Sequence, residues 1–153
     1  AQRRPAASCR LSATLGVTMH PPDIHQLLKR TGARYIGAQH FPDGLSGALQ
    51  AFGLFPEPTA LQELSPAKAV DVLALLLWKD MAYGVERCDQ AQAKGFAKQV
   101  VSHYNERGAR FLSNGNWAQE KTWYPLTRAT FDSGIVIELP DSHFACLWFE
   151  DED

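Results

Sequence analysis

The sequence lacks most of the features that identify a chemistry. Three of its 153 residues are cysteine. Cys9, Cys88 and Cys146 are far apart and odd in number, which argues against a disulfide framework. With no CxxC pair, the ligand spacing of a zinc ribbon is missing too. Reduced thiols fit a cytoplasmic protein, and Cys146, inside an apolar run, reads as a small core hydrophobe. No apolar stretch approaches the roughly 18 residues of a membrane-spanning helix; the longest, Val72 to Trp78, stops at Lys79 and Asp80. There is no basic excess. Fifteen Lys and Arg stand against 17 Asp and Glu, a net charge of −2, which weighs against a general nucleic-acid binder. GxGxxG, Walker A, GxSxG, SxxK and HExxH are absent, so no cofactor is expected. His20 and His25 straddle Pro21-Pro22 and do not share a helical face.

What is present is a core. The chain is 45% hydrophobic, with four Trp and eight Phe. A chain of this length buries roughly 70% of its unfolded surface. One domain over 1–153 is expected, with 1–21 as a loose, basic arm.

Periodicity divides that domain. A short helix is expected from about 22 to 31, after Pro22. Tyr35-Ile36 suggests a brief strand, and Leu45, Leu49 and Phe52 a helical turn or two ended at Gly53. Ser65 as N-cap and Pro66 at the first helical position open a helix. Val70, Leu73, Leu77 and Met81 trace its face, with Val72, Leu75, Leu76 and Tyr83 widening it, and Gly84 closes it. Asp89 caps another, with Ala93, Phe96, Ala97, Val100, Val101 and Tyr104 at the 3.6-residue period and Gly108 at its end. Beyond it the period shortens to two. Phe111-Leu112 leads into the turn residues Ser113 to Asn116. Thr122-Trp123-Tyr124 reads as a strand that Pro125 ends. Asp132-Ser133-Gly134 reads as a turn. Residues 135–139 and 144–149, joined through Pro140-Asp141-Ser142-His143, make the best hairpin. A hairpin alone is marginal in water. The expected fold class is therefore α+β, with helices in the first two thirds packed on a small C-terminal antiparallel sheet.

Several polar groups are candidates for chemistry. Asp132 and Glu138, with His103, offer an acid–base set for a small hydrolase-like enzyme, although nothing in the spacing demands it and turn chemistry explains Asp132 well. Cys88, just before a helix N-terminus, is a candidate reactive thiol. Backbone N–H groups of the 113–116 turn can take an anion. The charge is most uneven at the end. Glu138 to Asp153 holds Glu138, Asp141, Glu150, Asp151, Glu152 and Asp153 and no Lys or Arg. Such a tail can be a solvated end, a calcium site without EF-hand spacing, or a recognition strip. An acidic surface beside Trp anchors can steer and hold a basic partner.

Trp123-Tyr124-Pro125-Leu126-Thr127, Thr130-Phe131-Asp132-Ser133-Gly134 and Cys146 through Asp153 together resemble the C-terminal part of small bacterial immunity proteins, cytosolic inhibitors made beside a toxin. That family spans many folds and fixes no catalytic residues. The resemblance implies inhibition by binding, often through acidic groups that face a toxin's basic cleft. On this reading the chain is non-enzymatic and its partner is a protein, not nucleic acid or membrane. The partner-binding residues are Trp123, Asp132, Glu138, Trp148, Glu150, Asp151, Glu152 and Asp153. The alternatives are the small enzyme and an assembly subunit.

Overall fold

The computed structural model describes residues 28, 29, 31–120 and 123–152. Within them the chain forms three α-helices and a five-stranded antiparallel sheet, a mixed α+β architecture. In chain order these are β1 (Arg34–His40), α1 (Gly44–Ala51), β2 (Gln62–Leu64), α2 (Pro66–Trp78), α3 (Gln90–Asn105), β3 (Arg110–Ser113), β4 (Phe131–Leu139) and β5 (His143–Asp151), with two short 3₁₀ turns between. The sheet order is β1-β5-β4-β3-β2. The C-terminal hairpin therefore lies inside the sheet, between β1 on one side and β3 on the other, and the two edge strands β1 and β2 come from the first half of the chain.

That central position decides the packing. Ile135, Ile137, Leu139, Ala145, Leu147 and Phe149 face α2 and α3, while Val136, Phe144, Cys146 and Trp148 face α1 and the segment after it. A strand covered on both faces shows a continuous apolar run rather than alternation. Every residue from Phe144 to Phe149 is buried. At Cys146 that burial pushes the thiol up to about 12.

The helices begin where their caps place them. Ser65 Oγ accepts from the backbone N–H of Lys68 at 3.2 Å, and Asp89 Oδ2 accepts from that of Gln92 at 3.2 Å. Each bond satisfies one of the unpaired donors of a first turn. α2 is shorter than its periodicity predicts, ending at Trp78 rather than running to Tyr83. Asp80 causes the stop. Its Oδ1 accepts from the N–H groups of Tyr83, Gly84 and Val85 at 2.7, 2.8 and 3.3 Å, an alternative to helical bonding that short acidic side chains offer.

Two other expectations are corrected. Asp132-Ser133-Gly134 is not a turn but the interior of β4. A Cβ on Gly134 would collide with the Leu147 carbonyl oxygen and lie 2.7 Å from Trp148 Cα, so glycine is there for close strand approach. Trp123 forms only an isolated bridge with Gly115, not a strand. Tyr124 N–H donates to the Asn114 carbonyl at 2.7 Å, and Asn114 Nδ2 donates to the Tyr124 carbonyl at 2.9 Å, which closes 114–124 as a loop. Of the helix expected over 22–31, Leu28, Lys29 and Thr31 are helical. The rest of that segment, the 1–21 arm, Cys9, Thr122 and Asp153 lie outside the described residues.

Candidate binding surface

Among the described residues, the acidic end, Glu150 to Glu152, does not form one outward strip. Alternation along β5 sends its carboxylates to opposite faces of the sheet, and the chain's own donors meet each of them. Arg34 Nη2 donates to Glu150 Oε1 at 2.8 Å while its Nη1 donates to the Phe52 carbonyl at 2.8 Å. On the other face Arg87 donates to both oxygens of Asp151 at 2.9 and 2.8 Å, and Met81 N–H adds a bond at 2.9 Å to Oδ2. Glu152 Oε1 accepts from Thr130 Oγ1 at 2.6 Å. Glu138 pairs with Arg110 at 2.7 Å, and Arg110 also holds Glu63 at 3.1 Å.

One of the two tryptophans differs from the anchors that the sequence suggests. Trp148 is 1% exposed, so it is a core residue with no surface to offer a partner. Its Nε1 donates to Asp132 Oδ2 at 3.1 Å, as does Leu126 N–H at 2.9 Å. Asp132 is itself 0% exposed and belongs to the core beside Trp148. Desolvation raises its pKa; the two donors and Arg34 pull against that and Glu150 adds to it. Behind it Asn114 Nδ2 donates to the Asp132 carbonyl oxygen at 2.9 Å, and Ser133 Oγ donates to Asn114 Oδ1 at 3.0 Å. Trp123 is half-buried, edge-on to Trp117 with ring centroids 5.0 Å apart and 5.4 Å from Phe131.

The candidate acid–base set does not assemble. Asp132 and Glu138 stand six residues apart on one strand, roughly 20 Å at strand spacing. His103 lies on α3, whose buried residues pack on the opposite face of the sheet, and its ring stacks edge-on with Tyr104 at 4.9 Å. Cys88 donates its thiol to the Leu77 carbonyl at 3.5 Å. Among the described residues no three His, Cys, Asp or Glu side chains are placed to hold a metal ion, and no helix is long and apolar enough to cross a membrane.

Two surface features remain. One is an open groove of about 350 Å³ lined by Leu61, Gln62, Asn114, Gly115, Trp123 and Tyr124. The other is the loop between α2 and α3. Lys79 and Glu86 bridge across its neck, and Arg87 N–H donates to the Trp78 carbonyl at 2.6 Å. Trp78 Nε1 donates to Glu86 Oε2 at 3.0 Å. At its centre Asp80 gathers the three N–H groups named above. Slight desolvation pushes its pKa up, but those donors and the Arg87 charge outweigh it and hold the carboxyl below its ordinary value. The tip carries Tyr83, 68% exposed, and Val85, 59% exposed. The helical period alone places Tyr83 in the core. The turn signal Tyr83-Gly84 and the acid at 80 were the clues that it leaves the helix.

No protein-family model, curated protein or solved structure matches the chain.

Proposed function

We propose that the chain is a non-enzymatic binding protein of the immunity type, which inhibits a cognate bacterial toxin in the cytoplasm by direct contact through an acidic and aromatic surface. One observation carries this reading over a small enzyme. The polar groups that could have done chemistry are engaged elsewhere and apart: Asp132 with Leu126 and Trp148, Glu138 with Arg110, His103 against Tyr104. The large side chains left at the surface include Tyr83, a residue type enriched where interfaces concentrate their energy. The resemblance of the C-terminal segment to immunity proteins points the same way. The partner is then a protein with a basic surface.

The test pairs this chain with the product of the gene adjacent to its own. Co-expression should rescue growth of cells that make that product, and the purified proteins should elute together on size exclusion. Separate elution, with no protection, ends the proposal. Turnover of a hydrolase substrate panel by the chain alone, lost on Asp132→Asn or Glu138→Gln, would favour the enzyme.

A further inference from the structure

We propose that the loop over 79–89 is the surface that enters the partner, a rigid plug with Tyr83 at its tip, and that the partner presents a cation-lined cleft. This inference rests on the binding reading above and names the surface and the partner's chemistry.

Exposure is the first argument. Tyr83, Val85 and Tyr124 are the large hydrophobic side chains exposed among the described residues, and two of the three sit on this loop, two positions apart. Tyr combines a large apolar ring, a hydroxyl and little side-chain entropy, which is why it is enriched where interfaces concentrate their energy.

Rigidity is the second. A loop that must order itself on binding loses affinity to the entropy of ordering. This one is ordered already. Asp80 Oδ1 accepts from Tyr83, Gly84 and Val85, and Asp80 N–H returns a bond to the Val85 carbonyl at 2.9 Å. Arg87 fastens the base, donating its Nε to the Leu76 carbonyl at 2.8 Å and its two terminal nitrogens to Asp151. Asp151 thus acts from beneath the loop, as a positioning residue.

Charge is the third, and it decides the occupant. The loop and its anchor contain Lys79 and Arg87 against Asp80, Glu86, Asp89 and Asp151, a net −2. Both cations are drawn inward. Lys79 Nζ lies 4.1 Å over the Trp78 ring, and Arg87 stacks at 5.1 Å on Phe149 while gripping Asp151. At the neck and base of the loop, Glu86 and Asp89 are exposed, their carboxylates accepting from Trp78 Nε1 and Gln92 N–H. A cleft rimmed by Lys and Arg complements that display, while an anionic lipid surface repels it.

The experiment uses the full chain and, as probe, the purified and catalytically inactivated product of the adjacent gene, by calorimetry at low and high salt. A Tyr83→Ala, Val85→Ser double variant should bind about 100-fold more weakly, with unchanged circular dichroism and melting temperature because both side chains are exposed. Asp80→Ala, which removes the shared acceptor and so loosens the loop without touching the tip side chains, should cost about tenfold. Raising the salt should weaken the affinity that calorimetry reads. If the unmodified chain binds and the tip variant stays within about threefold of it, the loop is not the plug and only this inference falls. If the unmodified chain does not bind, the binding reading falls and takes this inference with it. Sedimentation with phosphatidylcholine–phosphatidylglycerol vesicles that depends on Tyr83 would overturn the protein-cleft assignment in favour of a membrane.

Discussion

Arg87 grips both carboxylate oxygens of Asp151 across 64 residues of sequence, with side chains only 10% and 11% exposed. The pair joins the end of β5 to the loop between α2 and α3. A fork-on-carboxylate bond of this kind is among the stronger polar contacts a protein makes. Its loss from one side leaves a nearly buried charge without its partner, which is the costly outcome.

Asp151→Asn is accordingly expected to lower stability by about 2–4 kcal/mol, somewhat under the range for fully buried pairs because water still reaches the edge. An Arg87→Met, Asp151→Leu double variant, which removes both charges, should recover part of that loss. Urea denaturation of the three proteins checks it. A single variant within about 1 kcal/mol of the parent would mean that the pair behaves as an ordinary surface salt bridge.

Asp132 supplies the pH dependence. Burial raises its folded-state pKa above the ordinary 3.8, so the folded chain holds this proton more tightly than the unfolded one. Its contribution to stability is therefore fully present below about pH 4 and is lost as pH rises through the folded value. Asp132→Asn keeps an acceptor for Leu126 N–H and Trp148 Nε1 and has no proton to lose. Its stability should vary less with pH than the parent's over that window, as read from denaturation midpoints across a pH series. Parallel pH profiles would show that the carboxyl titrates alike in both states.

Gly134 tests the close approach of β4 and β5. Its added Cβ would strike the Leu147 carbonyl and the Trp148 backbone, neither of which can swing aside as the end of a side chain can. Gly134→Ala should cost at least about 3 kcal/mol, at the upper end of overpacking, or abolish soluble expression. Gly95 has nothing within 4 Å of its missing Cβ and sits within α3. Gly95→Ala should stabilise by up to about 1 kcal/mol through helix propensity. The opposite signs, read from melting temperature, separate a steric requirement from a tolerated glycine.

How much of this was legible in sequence depended on range. Ser65-Pro66 and Asp89 announced α2 and α3 because a cap acts within one turn. The β4–β5 hairpin was legible because its turn and β-branched runs are local. Trp148 reads as a surface anchor only if the unalternating run around it is ignored, and the layer that covers its ring comes from α1, about 100 positions away in a segment, 33–60, whose pattern gives little more than a brief strand and a helical turn or two. The terminal carboxylates looked unopposed for the same reason. Arg34 and Arg87 are remote in sequence, and only the strand order β1-β5-β4 and the loop after α2 bring them to Glu150 and Asp151. Tyr83 fits a helical stripe by spacing, and Asp80 overrode that spacing by capturing the backbone.

The turn between β4 and β5 offers the last test. Asp141 and Ser142 both adopt left-handed backbone, with φ of 63° and 58°, a region that costs most L-residues roughly 1–2 kcal/mol. Ser142 is held there because its carbonyl accepts from Phe41 N–H at 2.8 Å, which ties the turn to the end of β1. Glycine adopts this conformation without strain but adds about 0.4–1 kcal/mol of unfolded-state entropy. Ser142→Gly should therefore gain a net of about 0.5–1 kcal/mol. Asp141→Gly should gain less, because Asp tolerates this region better than Ser. Ser142→Val should lose at least about 1 kcal/mol, since a β-branched side chain suffers most at positive φ. At roughly 2–4 °C per kcal/mol for a domain of this size, the order Gly above Ser above Val is resolvable by thermal melts. Val at or above Ser would mean that the turn relaxes out of the left-handed region, releasing Phe41 and with it the close of β1.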